Sequence, residues 1–110
     1  MSENKIYSVS ELNAQAKELL ENSFSQISLC GEVSSITKSN AGHYYFSLKD
    51  KSAEISCVLF ARTVYRNKIR QIPDHGREVV LEGYLTNFSQ RGSYQIFVEN
   101  VQIESSKECE

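Results

Sequence analysis

The sequence predicts a mainly β domain in which five strands close into a Greek-key barrel. One helix precedes the barrel, and a short helix joins the third strand to the fourth. Three observations carry this prediction. Five segments alternate apolar and polar residues with the period of two typical of a half-buried strand. Gly31 and Gly83 interrupt two of these segments, as glycines do at a bulge or a bend. A single amphipathic segment comes before them, and 110 residues suffice for one domain.

The first element is a helix over residues 8–22. Ser8 and Glu11 have the spacing of a capping box, in which each side chain accepts a hydrogen bond from the backbone of the other residue. The apolar residues then recur at helical spacing on one face: Val9, Leu12, Ala16, Leu19 and Leu20. We expect this face to pack across one end of the barrel.

The first three strands follow in order. Residues 27–36 alternate as one strand, and residues 42–60 read as two strands joined by a short charged turn. In the first strand of that pair, Tyr44, Phe46 and Leu48 alternate with more polar residues, so they are expected to form the barrel wall.

The remaining elements lie in the second half of the chain. Residues 62–72 have the pattern of a short helix, which the turn after Pro73 ends. Residues 77–88 and 94–103 are predicted as strands four and five around a hairpin turn. Tyr94 alternates with Ile96 and Val98 and is therefore expected to face the core.

Five strands with a helix between the third and fourth are the arrangement of an OB-fold, which is a Greek-key barrel. Residues 6–103 are predicted to form this single domain. The polar residues 104–110 are predicted to be a disordered tail.

The charge of the chain is unevenly distributed. The net charge is −2, but residues 38–91 hold nine basic and five acidic side chains between two acidic ends. A basic middle is compatible with a local positive face, and equally with scattered surface charge.

Several classes of function find no support in the sequence. His43 and His75 lack partners at metal-ligand spacing, and there is no phosphate-binding loop or nucleophile elbow, so we predict no catalytic residue, no metal and no cofactor. No apolar run is long enough for a membrane span, which takes about 20 residues. The first residues also lack the apolar core of a signal peptide, and the expected location is the cytoplasm.

A binding face has better support. In an OB-fold the ligand lies across strands two and three, between the loops that join strands one to two and four to five. Aromatic side chains interleaved with cations suit single-stranded nucleic acid, because bases stack on the rings and cations follow the phosphates. Phe60 either joins this face or closes the barrel end, and the run of cations after it is either a phosphate track or a solvated helix face. The candidate nucleic-acid-binding residues are Lys38, His43, Tyr45, Lys49, Phe60, Arg62, Phe88 and Arg91.

Five stretches of the chain form a recognisable set: Tyr7-Ser-Val-Ser-Glu-Leu-Asn13, Gly31-Glu-Val-Ser34, Gly42-His-Tyr-Tyr-Phe-Ser-Leu-Lys-Asp50, Val58-Leu-Phe60, and Gly83 with Phe88-Ser-Gln-Arg-Gly-Ser-Tyr-Gln95. Together they resemble one family, the N-terminal domain of the exodeoxyribonuclease VII large subunit. One departure is Gln90, where the family pattern has Pro.

The resemblance implies an OB-fold that binds single-stranded DNA for a nuclease. In that family a catalytic domain and a helical region that binds small subunits follow the OB-fold, and the complex degrades single-stranded DNA to oligonucleotides. The resemblance thus implies that this chain binds DNA but is not by itself the enzyme. Two alternatives remain open from the residues: an RNA- or tRNA-binding OB domain, and a protein-interaction or dimerisation module that uses its exposed aromatics for self-association.

Overall fold

The computed structural model describes residues 4–88 and 93–103. Its elements are α1 (Val9–Ser23), β1 (Ile27–Lys38), β2 (Tyr44–Lys49), β3 (Glu54–Leu59), α2 (Ala61–Arg66), β4 (Glu78–Phe88) and β5 (Ser93–Ile103). The strands form a closed barrel in the order β1-β2-β3-β5-β4, in which β3 and β5 are parallel. The predicted fold class is confirmed, including the helix before the barrel and the short helix between β3 and β4. In the described part of the chain, neither helix has the length and apolarity of a membrane span.

The barrel interior is filled by the inward side chains of all five strands. The pairing of β2 with β3 is regular, with Phe46 opposite Cys57 and Leu48 opposite Ile55. Of these, Phe46, Leu48 and Cys57 are buried. The other fully or nearly fully buried residues of the core are Val33, Leu59, Ile69, Val79, Leu81, Leu85, Ile96, Val98 and Val101.

Two glycines mark places where strands approach closely. A Cβ on Gly31 would lie 2.8 Å from the carbonyl oxygen of Lys49, at the point where β1 changes from pairing with β4 to pairing with β2. A Cβ on Gly83 would lie 2.2 Å from the carbonyl oxygen of Phe97. Gly83 also begins a register shift between β4 and β5, so the irregularity predicted there is confirmed. In β1 the register shift comes later than Gly31, between Ser34 and Thr37.

The helix α1 begins as predicted. Ser8 Oγ accepts a hydrogen bond from the N–H of Glu11 at 3.1 Å, and the Glu11 carboxylate accepts one from the N–H of Ser8 at 3.0 Å. The packing predicted for its apolar face is wrong over most of its length, because Val9, Leu12 and Leu19 are 78%, 53% and 68% exposed.

Between the described residues, the contacts that join α1 to the barrel lie at the C-terminal end of the helix. Leu20 packs against the core. Glu21 accepts a hydrogen bond from the hydroxyl of Thr86 on β4. The carbonyl oxygen of Phe24 accepts a hydrogen bond from the N–H of Leu85 at 3.0 Å. These contacts secure one end of the helix, whereas Val9, Leu12 and Leu19 on its apolar face remain more than half exposed.

The helix α2 is shorter than the predicted 62–72. It ends at Arg66, and Lys68 has a positive φ of 55°, which is incompatible with a continuing helix. The chain beyond it is not helical, yet it still contributes Ile69 and Pro73 to the interior. Apolar spacing over residues 69–73 therefore reflected burial of an irregular segment rather than a longer helix.

Candidate nucleic-acid interface

The outer surface of the barrel carries a cross-strand line of large side chains. Tyr45 on β2 is the register partner of Val58 on β3, Val58 of Phe97 on β5, and Phe97 of Tyr84 on β4. Partners in register point to the same face of a sheet. One continuous line therefore crosses four strands on the outside of the barrel.

The rings on this surface touch one another edge to face. The centroids of His43 and Tyr45 are 6.4 Å apart, and those of His43 and Phe60 are 5.2 Å apart. Phe97 continues the series, 5.1 Å from Phe60 and 5.6 Å from Tyr84. We call these five residues the aromatic row: Tyr45, His43, Phe60, Phe97 and Tyr84. Edge-to-face contacts at these distances are attractive, so each ring supports the next.

His43 connects the row to the loop between β1 and β2. Its Nδ1 accepts a hydrogen bond from the N–H of Ala61, the first residue of α2, at 3.0 Å. The neutral ring therefore carries its proton on Nε2. The backbone of His43 is also held, because its N–H donates to Ser39 Oγ at 3.1 Å. One hydrogen bond thus orients the ring and a second holds the backbone of the same residue.

The exposure of the row differs along its length. Tyr45 is 42% exposed, whereas the other four rings are partly buried. Next to the row lies a parallel line of polar side chains, in which Ser47 pairs with Ser56 and Gln95 with Thr86. Gln95 and Thr86 are buried, and Thr86 is the residue that donates to Glu21 of α1. The half of this surface on β2 and β3 is the more open one.

Charged side chains are unevenly distributed along the aromatic row. At the β4 end, burial raises the pKa of the Tyr84 hydroxyl, the carboxylates of Glu99 and Glu21 raise it further, and Arg66 acts in the opposite direction. Because carboxylates repel phosphates, this end is unfavourable for a nucleic-acid backbone. Arg62 is exposed on α2, two residues after Phe60, which is the middle ring of the row.

Two of the predicted cations have neighbours that change their role. Lys49 lies on the outer face in register with Glu32 on one side and Glu54 on the other, so acidic residues flank its charge. The ammonium of Lys38 lies 5.5 Å from the ring centre of Tyr44, on the side of the sheet opposite Tyr45. The structure therefore does not place Lys38 beside the aromatic row.

The remaining candidates fall at the hairpin between β4 and β5. Arg91 lies outside the described residues, and of Phe88 only the backbone at the end of β4 is described. Tyr94 is 54% exposed, so the prediction that it faces the core is wrong. It has the inward parity of Ile96, but it lies near the start of β5 opposite Asn87, beyond the buried Leu85–Ile96 pair.

Phe97 and Tyr84 were missed by sequence reasoning. The signal for Phe97 was present, since it alternates with the inward residues Ile96 and Val98 and so must face outward. Its proximity to Phe60 arises from the parallel pairing of β3 with β5, which no local pattern announces.

The chemistry available here is stacking and hydrogen bonding. Among residues 4–88 and 93–103, no three His, Cys, Asp or Glu side chains come together as a metal site requires. The thiol of Cys57 is buried in the core, where burial raises its pKa to about 12, so it is not a nucleophile at neutral pH.

Comparison with known families gives one match over nearly the whole chain. Residues 7–102 match the family described as OB-fold nucleic acid binding domain. The resemblance to the exodeoxyribonuclease VII large subunit is also confirmed. Proteins named Exodeoxyribonuclease 7 large subunit are 40% identical over 97 residues in Enterobacter sp. (strain 638), 43% over 103 residues in Campylobacter hominis and 40% over 101 residues in Haemophilus influenzae. These matches cover 88–93% of this chain but only 21–26% of the relatives, so the chain spans about a quarter of their length or less.

Solved structures share the fold at low sequence identity. A chain in the crystal structure of yeast Stn1 and Ten1 matches with a TM-score of 0.61 and 14% identity, covering 89% of this chain and 60% of that one. A chain of a Replication Protein A heterotrimer bound to ssDNA matches with a TM-score of 0.59 and 14% identity, over 74% and 58% of the two chains. Asparaginyl-tRNA synthetase from Pyrococcus horikoshii matches with a TM-score of 0.59 and 16% identity, over 91% of this chain and 22% of the enzyme.

Proposed function

This chain belongs to the family of OB-fold nucleic acid binding domains, and on that premise we propose that it is the single-stranded-DNA-binding module of an exodeoxyribonuclease VII large subunit. The identity of 40–43% to relatives of that name supports the assignment. The observation that carries the proposal is the aromatic row, because a line of mutually supported rings on an open barrel face is a platform for stacked bases.

The rings provide most of the contact in this proposal. Tyr45 offers the most exposed face and takes a base first, while Phe60 and Phe97 extend the platform towards β5. Each stacked base contributes about 1–3 kcal/mol whatever its sequence. His43 fills the gap between Tyr45 and Phe60, and its Nε2–H is the donor available to a base edge or phosphate.

In this proposal the phosphate backbone of the bound DNA follows the cations of the protein. Arg62, which is exposed two residues after Phe60, is the described cation that we assign to a phosphate, and Arg91 of the hairpin is the proposed second contact. Lys49 and Lys38 remain part of the proposed site with a smaller share, because Glu32 and Glu54 flank the first and the ring of Tyr44 engages the second. The carboxylates of Glu99 and Glu21 near Tyr84 keep the DNA backbone away from β4.

The role of the module within a larger protein is part of the same proposal. The chain binds and presents single-stranded DNA and does not itself cleave it; cleavage to oligonucleotides belongs to a catalytic domain outside residues 1–110. Small subunits would bind through regions that are also outside this chain. The proposal includes a cytoplasmic location, where such a nuclease meets its substrate.

Fluorescence anisotropy tests the proposal directly. A labelled oligo-dT of about 16 nucleotides, the upper end of the site size of one OB-fold, is titrated with the protein at low salt. We expect saturable binding, and Tyr45→Ala should weaken it about 5- to 150-fold, which corresponds to the loss of one stacked base. Tyr65→Ala is the matched control, because Tyr65 is 86% exposed on α2 and is not part of the aromatic row.

No change in anisotropy up to high micromolar protein would reject the proposal. Equal loss of binding in the Tyr45 and Tyr65 variants would reject the role of the row while leaving DNA binding in place.

Salt dependence separates nucleic-acid binding from a protein-interaction role. The logarithm of the association constant should fall linearly with the logarithm of salt concentration, by about 0.7 for each phosphate neutralised on a single strand. Arg62→Gln should reduce the magnitude of this slope by about 0.7, which corresponds to one phosphate contact. Arg70 is an exposed cation beyond α2, so Arg70→Gln should leave the slope unchanged. A slope that neither substitution alters would contradict the placement of the phosphates. A parallel titration with oligo-U decides between DNA and RNA, because the 2′-OH is the group that distinguishes them.

A further inference from the structure

Gln95 on β5 is a buried polar residue whose side-chain amide has no hydrogen-bond partner within residues 4–88 and 93–103. The residue is only 7% exposed. Thr86, its equally buried register neighbour on β4, differs because its hydroxyl donates to Glu21. Most buried polar side chains have a partner, since an unpaired buried amide destabilises the fold. The amide of Gln95 is therefore available to a ligand.

Gln95 lies next to the aromatic row on the same face of β5. Ile96 is buried in the core, so Gln95 and Phe97 on either side of it both face outward. Residues two apart along a strand are separated by about 7 Å. A base that stacks on Phe97 therefore has its edge within reach of Gln95.

The space beside Gln95 opens towards β3 and β2. Ser56 is the register partner of Gln95 on β3, and Ser47 is the register partner of Ser56 on β2. Ser56 is exposed and Ser47 is half-buried, and serine side chains are small. On the other side of Gln95, Thr86 is buried. A ligand therefore approaches the amide over the two serines.

The chemistry of an amide is matched by the edge of a base rather than by a phosphate. The amide presents a donor and an acceptor side by side, and rotation by half a turn exchanges the two. Thymine offers O4 next to N3–H, and cytosine offers N3 next to its amino group, so either base satisfies both halves of the amide. Phosphate oxygens only accept hydrogen bonds and would leave the amide oxygen unpaired.

We propose that Gln95 hydrogen-bonds the edge of an unpaired base while the ring of that base stacks on the aromatic row. This inference rests on the proposed binding of single-stranded DNA, and it adds the part of the nucleotide that the site recognises. Because the amide can turn to match either arrangement of donor and acceptor, the contact accepts different bases. It excludes duplex DNA, in which the same edges are already paired.

A thymine analogue without hydrogen-bonding groups tests the contact. Difluorotoluene has the shape of thymine and stacks like it, but it forms essentially no hydrogen bonds. In anisotropy titrations, we expect the wild type to bind oligo-dT about 5- to 150-fold more tightly than an oligomer of the same length that carries the analogue at every position. This ratio corresponds to one bidentate contact.

Two matched variants assign this preference to one residue. In Gln95→Met the preference for oligo-dT should disappear, because methionine has a similar size but no amide. Gln102→Met should keep it, since Gln102 is an exposed glutamine of the same strand, opposite Val80 on β4.

The melting temperature of Gln95→Met provides a second readout that needs no DNA. Replacement of an unpaired buried amide by an apolar side chain of similar size is neutral or stabilising, so the melting temperature should equal or exceed that of the wild type. A clear fall that Gln102→Met does not show would mean that the amide has a partner in the free protein, and it would overturn the inference.

The outcomes separate this inference from the function on which it rests. Equal affinity of the wild type for the two oligomers would overturn the role of Gln95 and leave the binding of single-stranded DNA in place. The same holds if Gln95→Met weakens binding to both oligomers by the same factor. A wild type that binds neither oligomer would reject the proposed function, and the inference with it.

Discussion

Replacing Phe97 with leucine tests the central ring of the aromatic row. Phe97 contacts Phe60 at 5.1 Å and Tyr84 at 5.6 Å between ring centroids, so it joins the two ends of the row. Leucine retains an apolar side chain on the outer face of β5 but has no ring. Two edge-to-face contacts are lost, each worth about 0.5–1.5 kcal/mol, so the free energy of unfolding should fall by about 1–3 kcal/mol. The melting temperature should fall by roughly 4–8 °C for each kcal/mol.

The binding of single-stranded DNA should fall as well. Phe97 provides one stacking face in the proposed site, and the loss of one stacked base corresponds to about 1–3 kcal/mol, or about 5- to 150-fold in the dissociation constant. Anisotropy titrations with oligo-dT measure this change at a temperature well below the melting point of the variant. Phe97→Tyr should restore most of the affinity because it restores the ring, and Tyr65→Leu should leave affinity and stability close to the wild type.

One outcome would refute the reasoning. If Phe97→Leu loses stability but binds oligo-dT with wild-type affinity, the ring of Phe97 is only a support for Phe60. The binding platform would then end at β3, and the extension across β5 would be wrong.

Three further predictions concern the barrel and its titratable groups. Gly83→Ala would place a Cβ 2.2 Å from the carbonyl oxygen of Phe97, so we expect it to cost about 1–3 kcal/mol; a melting temperature equal to the wild type would contradict the close approach. Hydrogen bonds from the N–H groups of Ser52 and Ala53 lower the pKa of the Asp50 carboxyl below its ordinary value of 3.8. The ionised carboxylate therefore stabilises the fold at pH values above 3.8, and this stabilisation is lost as the pH falls through the lowered pKa of the folded state. In Asp50→Asn, the free energy of unfolding measured by urea titration should fall less steeply as the pH is lowered over roughly pH 6 to 2. A fall as steep as that of the wild type would count against this role of Asp50. Burial raises the pKa of Cys57 to about 12, so iodoacetamide should react slowly with this thiol in the native protein and much faster in urea. Peptide mass spectrometry measures the extent of labelling at Cys57. Rapid labelling of the native protein would contradict the burial of this thiol.

The barrel could be predicted because its strands alternate over long stretches. Tyr44, Phe46 and Leu48 pointed inward as expected, and the cap at Ser8 followed from four residues of sequence. The packing of α1 could not be predicted in the same way. An amphipathic pattern shows that a face is apolar, but it does not show what covers it. Within residues 4–88 and 93–103, Leu20 is the residue of α1 that packs against the core.

The candidate site was predictable only in its local part. His43 and Tyr45 belong to one short segment, and Phe60 follows the strand that pairs with it, so their proximity could be inferred from the hairpin alone. Phe97 and Tyr84 enter through β5 and β4, which meet β3 only when the barrel closes. The register shift in β5 was visible in the spacing of its apolar residues. Val98 and Val101 both face inward, whereas strict alternation would place residues three positions apart on opposite faces.

That register shift divides β5 into two halves that are joined by one extra residue. On one side of the shift Glu82 pairs with Asn100, and on the other Gly83 pairs with Val98, so β5 contains one residue, Glu99, without a counterpart in β4. Deleting Glu99 would therefore leave the pairs Gly83–Val98, Tyr84–Phe97 and Leu85–Ile96 with the same partners and the same faces. Deleting Ile96 instead, with the shift kept, would move Gln95 opposite Leu85 and turn it into the barrel. The length of β5 can thus vary at Glu99 while the aromatic row stays on the outer surface.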